Sequence, residues 1–246
     1  MGHKVDIIFP VFNRLEYNKM TLPLLIEQCR ASTAFSRLWV NDYLSEDGSS
    51  EWIKGLLDIA DQGTGFPVTY TRSSRFNSPN VSWNMVAKES KAEYLIKVDN
   101  DIMMPEGFID ALYDFITTTG DVFIASPYCT SKLFPSMTTP NEPMEDEHVG
   151  GLGIVPRKLL IQYGPITIDR RYFGFTAFQE SLPIHLKKVW LKNMKFVELD
   201  MHPAWSREHE YMLRGWSRTL NERVSGNKWS SSLFNKKAQV QLEVAQ

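Results

Sequence analysis

Between Val5 and Ser126, short apolar runs rich in β-branched residues alternate with stretches whose apolar residues recur at helical spacing. The runs at 5–11 (VDIIFPV), 37–41 (RLWVN), 68–72, 94–98 (YLIKV) and 122–126 read as strands. The stretches at 17–30, 51–60 and 81–90 read as helices, and Pro105 is placed to open a fourth, reaching Thr117. This rhythm predicts parallel strands joined by crossover helices, hence an α/β, mostly parallel sheet with helices on both faces. Such sheets bind ligands beyond the carboxyl ends of their strands. The polar residues expected at those ends are Asn13, Asp42, Arg72 and the Asp99-Asn100-Asp101 cluster.

The pattern changes after residue 126. Residues 128–148, rich in Pro, Thr, Met and acids, read as a long loop of the kind that often carries function. A strand and a helix start follow over 150–161. Gln179-Glu180 is a polar break before another helix, and 195–199 is a last strand. After Asp200, Trp205, Trp216 and Trp229 interleave with Arg207, Arg214, Arg218, Arg223 and Lys228. The expected organisation is a domain over 1–200, with a nucleotide-donor half (1–126) and an acceptor half (127–200). A basic, Trp-containing extension (201–246) follows. That extension reads as an amphipathic helix packing its tryptophans, as a lid over a diphosphate, or as a nucleic-acid contact.

Composition narrows the function. With 43% hydrophobic and 23% charged residues the chain is an ordinary packed protein. A formal charge of −2 supplies no global field toward nucleic acid or an anionic membrane. Cys29 and Cys129 lack metal spacing and read as reduced structural thiols. The first residues lack the apolar core of a signal peptide, and no run approaches the ~18 apolar residues of a spanning helix. The expectation is a cytoplasmic protein without a transmembrane segment.

Asp99-Asn100-Asp101 is the sharpest motif. Two carboxylates one residue apart at a strand end can share a hard divalent cation, Mn²⁺ or Mg²⁺, which bridges diphosphate oxygens. A sugar leaving a nucleoside diphosphate builds negative charge on the β-phosphate, and a cation there acts as a Lewis acid. Transfer to a hydroxyl also needs a base, and Glu180 is the candidate. Imidazole can ligate Mn²⁺, so His202, with His209 as fallback, is a candidate third ligand. His148 is a candidate for contact with acceptor or phosphate. Gly150 and Gly151 would let the donor sugar approach the backbone closely.

The segments VDIIFPVFNR, RLWVNDYLSEDGSS and NMVAKESKAEYLIKVDNDIMMPEGFI together resemble glycosyltransferase family 2, of GT-A (Rossmann-like) fold. A weaker likeness runs through Gly150-Gly151 and Gln179-Glu180 to about Phe196. The resemblance implies a metal-dependent, inverting transferase using a nucleoside-diphosphate sugar, UDP-sugar favoured. It implies that Pro10, Phe12 and Asn13 line the nucleoside pocket, and that Asp42 holds the base. Arg72 and Asn80 would flank the nucleotide. Asp99 would approach the ribose or the metal, and Asp101 would ligate the metal directly. Family members often open a helix with Glu-Asp where this chain has Gln179-Glu180, the second acid being the base. The sequence leaves the acceptor open: a glycan, a glycolipid head group, a protein or a modified nucleic acid, including hydroxylated DNA bases of the phage type. Nucleotidyl transfer is disfavoured because PVFNRLEYN lacks the glycines of a phosphate loop. A non-catalytic carbohydrate- or nucleic-acid-binding module is disfavoured by the retained carboxylates.

Overall fold

VDIIFPV becomes β1 (Val5–Val11), buried at every position because the strand lies inside the sheet. The structure, a computed structural model, describes residues 4–73, 79–130, 135–139, 141–167 and 174–199, with the backbone alone at 129 and 130. After β1 come α1 (Leu15–Ala31), β2 (Phe35–Asp42), α2 (Ser49–Asp61), β3 (Val68–Arg72), α3 (Pro79–Glu89) and β4 (Tyr94–Lys97). Then follow β5 (Ile102–Met103), α4 (Phe108–Thr118), β6 (Val122–Thr130), β7 (Ser136–Met137) and β8 (Pro143–Glu145). The described chain closes with β9 (Ile154–Pro156), α5 (Arg157–Tyr163), α6 (Gly174–Glu180) and β10 (Lys187–Glu198).

The sheet order is β3-β2-β1-β4-β9-β6-β10-β5, with β7 and β8 paired to β10. β1 is parallel to β2 and β4, β2 to β3, and β10 to β6. β9 runs antiparallel to β4 and β6 and joins the two parallel groups. Alternation along the strands divides the core. Ile7, Phe9, Leu38, Val40 and Ile96 pack on one face with Leu22, Ile26, Ile53, Leu57, Phe108 and Leu112 of α1, α2 and α4. Ile8, Trp39, Leu95 and Val155 pack on the other with Trp83, Leu160, Phe175 and Phe178 of α3, α5 and α6. The period of two in β1 sends Ile7 and Phe9 one way and Ile8 the other, as a two-sided sheet requires.

The expected α/β sheet with helices on both faces is present, and four local expectations are corrected. Pro105 does not open α4. Gly107 takes a left-handed conformation (φ 75) ahead of Phe108, and the Phe108 N–H donates to the Pro105 carbonyl at 3.3 Å, so the proline belongs to the preceding turn. The loop expected over 128–148 includes the end of β6 and the short strands β7 and β8, because β10 offers them a pairing edge. Gln179-Glu180 closes a helix instead of opening one. Phe175 stacks on Trp83 and packs against Phe178, three residues on, ahead of Gln179-Glu180. The expected following helix is the strand β10, in which Val189 and Leu191 show alternating burial.

Gly153 has a steric requirement. A Cβ there would sit 2.3 Å from the Ala125 carbonyl oxygen, at the point where β9 begins its antiparallel pairing with β6. Backbone cannot move aside as a side-chain tip can. Gly153→Ala is therefore expected to destabilise the fold by about 3 kcal/mol, read as a lowered denaturation midpoint with unchanged slope.

Among the described residues no helix is long and apolar enough to cross a membrane. Cys29 is buried, and burial pushes its thiol well above the ordinary value, as suits an inert core cysteine. Cys129 is described by its backbone only, and the extension at 201–246, with its basic and Trp residues, lies outside the described residues.

Candidate active site

Parallel register brings the strand ends to one level. Val11 pairs with Asp42, and Asp42 with Arg72. Pro10 is buried in β1 opposite Asn41, and Phe12 is half-buried just past the strand. Asp42 was expected to face the nucleobase, but its carboxylate is 0% exposed and turned inward. It accepts the Ser45 N–H at 2.9 Å, the Tyr70 hydroxyl at 2.8 Å and the Ser50 hydroxyl. Burial, followed by the bond to Asp42, pushes the Tyr70 phenol up to about 12, so it remains a neutral donor. The Arg72 guanidinium lies 3.7 Å from Asp42 and is 41% exposed. Asp42 thus anchors the arginine, and the arginine is the group on the open side.

The turn between β1 and α1 has two consecutive left-handed residues, Asn13 (φ 55) and Arg14 (φ 68). Asparagine tolerates that conformation, whereas for arginine it is strained. The loop after β2 holds the turn: Ser45 accepts the Asn13 N–H at 2.8 Å, and the Asn13 side chain accepts the Glu46 N–H at 2.9 Å. Asp47 accepts the Leu15 N–H at 2.8 Å and supplies the start of α1 with a cap. The strained backbone presents Arg14, whose Nη1 reaches Asp101 at 2.5 Å.

Asn100 explains how the acidic motif is aimed. Its amide donates to Asn18 at 2.9 Å and to the Asn13 carbonyl at 3.3 Å, and its own carbonyl accepts the Thr21 hydroxyl at 3.0 Å. The middle residue is fixed to α1, while the flanking carboxylates keep 34% (Asp99) and 15% (Asp101) of their side-chain surface. Behind them the Leu199 N–H donates to the Asp101 carbonyl at 2.8 Å, and β5 pairs with the end of β10. Both carboxylates carry protein counterions. Lys97 Nζ lies 2.5 and 2.6 Å from the two oxygens of Asp99, and Arg14 Nη1 lies 2.5 Å from one oxygen of Asp101.

As a donor set for a divalent ion, the two partly open carboxylates fit: hard, anionic oxygens fixed from behind by Asn100. No group of three or more His, Cys, Asp or Glu residues that could hold a metal occurs among the described residues. His202, expected as a third ligand, and His209 lie outside the described residues.

Glu180 ends α6, where the helix dipole disfavours a carboxylate. It is 58% exposed, and His148 Nε2 lies 3.6 Å away, an ion-pair rather than a hydrogen-bond distance. Gln179 is buried beside it. Its amide oxygen accepts the Val149 N–H and its amide nitrogen donates to the Val149 carbonyl, both at 2.9 Å. This clamp needs one acceptor and one donor, which explains glutamine where the family pattern has glutamate. Gln179→Glu would set a buried carboxylate against the Val149 carbonyl. It should cost about 1–3 kcal/mol, measured by denaturant unfolding, with more activity lost than global stability predicts.

The clamp ties α6 to Gly150 and Gly151. A Cβ on Gly150 would meet the Trp190 ring at 3.1 Å, so Trp190 fills the space that the sequence suggested was left for a donor sugar. A Cβ on Gly151 would meet Lys97 Cε and Phe175 at ordinary contact, 3.8 Å. Asn80, expected beside the nucleotide, is buried with its amide donating to the Thr167 carbonyl at 3.0 Å. Asn13, Asp42, Arg72, Asp99 and Asp101 therefore share one sheet edge, and Glu180 connects to it through the Val149–Gly151 segment. Sequence reasoning missed Lys97, Arg14 and Gln179. The signal for Lys97 was available: a lysine inside the apolar run YLIKV is buried only with a partner.

A mostly parallel, Rossmann-like sheet carrying an acidic pair at its carboxyl edge is the GT-A architecture of nucleotide-sugar glycosyltransferases. The chain belongs to glycosyl transferase family 2, whose family model matches residues 6–182. It is 25% identical over 199 residues to the poly(ribitol-phosphate) beta-N-acetylglucosaminyltransferase TarP of Staphylococcus aureus (strain N315), covering 78% of this chain and 58% of TarP. The chain thus spans little more than half the length of that relative. In fold it is similar to S. aureus TarS 1-349 in complex with UDP-GlcNAc, with a TM-score of 0.57 and 15% identity over 78% of this chain and 57% of that one. It is also similar to the mannosyltransferase PcManGT of Pyrobaculum calidifontis in complex with GDP-Man and Mn²⁺. That TM-score is 0.61, with 14% identity over 98% of this chain and 74% of that one.

Proposed function

We propose that this chain transfers a sugar from a UDP-sugar to an acceptor hydroxyl with inversion, using a divalent cation held by Asp99 and Asp101. The observation that carries the reading is the arrangement of Asp99-Asn100-Asp101, with the middle residue anchored to α1 and both carboxylates partly open at the carboxyl edge. The family match supports the reaction class. The UDP-GlcNAc in the TarS complex and the name of TarP make UDP-N-acetylglucosamine the first donor to test. The Mn²⁺ in the PcManGT complex supports Mn²⁺ ahead of Mg²⁺.

In this reading Phe12, Asn13 and Arg72 receive the nucleoside, with Asp42 and Tyr70 fixing the arginine. Asp99 and Asp101 hold the cation. A divalent ion bound there supplies Lewis-acid stabilisation of the diphosphate leaving group. Glu180 takes the proton of the attacking hydroxyl at its carboxylate oxygen, as a one-step inverting displacement requires. His148 holds that carboxylate in place, and Gln179 fixes the segment between the two halves of the site. The reading keeps the cytoplasm as the place of action.

The test is a screen of nucleotide sugars for nucleoside diphosphate release, with Mn²⁺ or with chelator, against glycans, polyol phosphates, peptides and hydroxymethylated DNA. The expected result is UDP release from one UDP-sugar, stimulated by one acceptor class and lost in chelator. Pyrophosphate release would instead indicate nucleotidyl transfer. Donor binding without turnover on any acceptor would indicate a binding module.

A further inference from the structure

Lys97 lies in the interior of the sheet, between Ile96 and Val98, and its side chain is only 7% exposed. An ammonium taken out of water at such a place is costly unless a carboxylate and hydrogen bonds meet it. Both are present, since the same Nζ bonds each oxygen of Asp99. Those two oxygens are the ones a divalent ion would use. Asp101, the other carboxylate, is matched by the Arg14 guanidinium at 2.5 Å. Among the described residues, each of the two carboxylates thus already faces a positive group. A divalent ion arriving alone meets little net attraction and must also displace an ammonium in hydrogen-bond contact. A nucleoside diphosphate arriving with its ion brings negative charge that can receive the displaced ammonium. Room exists for that shift, because Gly151 presents no side chain where its Cβ would lie 3.8 Å from Lys97 Cε.

We infer that Lys97 is a built-in counterion of the metal position. Its ammonium holds Asp99 in the donor-free protein and gives it up when the diphosphate and its ion arrive together, so metal uptake is coupled to donor binding. The inference rests on the reading of Asp99 as a metal-holding residue.

The test is titration of the full chain with Mn²⁺, following the free-ion electron paramagnetic resonance signal, with and without UDP. The wild type should bind Mn²⁺ weakly alone and at least about tenfold more tightly with UDP. Lys97→Met should bind Mn²⁺ alone at least about tenfold more tightly than the wild type, with the gain from UDP reduced accordingly. Lys97→Arg, which keeps the charge, should stay weak without UDP. If Lys97→Met does not fold, Lys97→Gln, which can still donate one hydrogen bond to Asp99, takes its place with the same expected direction. A folded neutral variant that binds Mn²⁺ alone no better than the wild type overturns the inference. Asp99→Asn separates the two levels. If it leaves Mn²⁺ binding in the presence of UDP unchanged, the metal-site reading falls. If it abolishes that binding while the neutral Lys97 variant matches the wild type, only the counterion inference falls.

Discussion

Asp101→Asn should leave the chain folded and reduce metal-stimulated sugar transfer by about a thousandfold, the loss of roughly 4 kcal/mol of leaving-group stabilisation. The substitution keeps the shape and an acceptor oxygen for Arg14, which approaches Asp101 at 2.5 Å. It removes the anionic charge that a hard cation requires. The contacts that place the motif belong to Asn100, Asn18 and Thr21 and remain intact, so the loss cannot be assigned to a misplaced loop. Turnover measured across Mn²⁺ concentrations, with thermal unfolding alongside, checks this. The variant should show a flat metal dependence, with a melting temperature lowered by the buried Arg14 guanidinium left without its carboxylate but still above the assay temperature.

Glu180→Gln should lower kcat by about 10²–10⁴-fold while leaving UDP and Mn²⁺ affinity unchanged. Glutamine has the same volume and cannot accept the acceptor's proton. Because Glu180 is 58% exposed at the end of a helix, its carboxylate carries little structural weight. His148 Nε2 lies 3.6 Å from the Glu180 carboxylate. His148→Ala should give a smaller loss in the same direction, by freeing the Glu180 side chain. Single-turnover transfer and equilibrium UDP binding separate the chemical step from donor binding. A parallel fall in both would place Glu180 in the donor site instead.

The fold was legible where one periodicity holds over a whole element. β1 runs from Val5 to Val11 as the apolar run indicates, and β3 from Val68 to Arg72. Strand-end logic then brought Asn13, Asp42, Arg72 and Asp99 to one edge without coordinates. What stayed hidden is what depends on partners distant in sequence. Arg14 meets Asp101 across 87 positions, and Gln179 meets Val149 across 30. No local pattern encodes such pairings. The orientation of Asp42 was unreadable for the same reason, since Tyr70 turns it inward from the neighbouring strand. Around Gln179-Glu180 a short helix precedes the pair and a strand follows, and with apolar residues on both sides the local pattern suited a helix start as well as a helix end. The role of Gly153 is set by the Ala125 carbonyl of the neighbouring paired strand, which no glycine count discloses.

The central claim concerns where a divalent ion sits when a nucleoside diphosphate is bound. Crystals of the chain grown with UDP and Mn²⁺, and measured at the manganese absorption edge, give the answer as a position. The account predicts one anomalous peak within coordination distance of the Asp101 carboxylate and touching the diphosphate, with the Lys97 ammonium no longer on Asp99. Bound UDP without a peak there, or manganese held elsewhere with Lys97 still on Asp99, would contradict it.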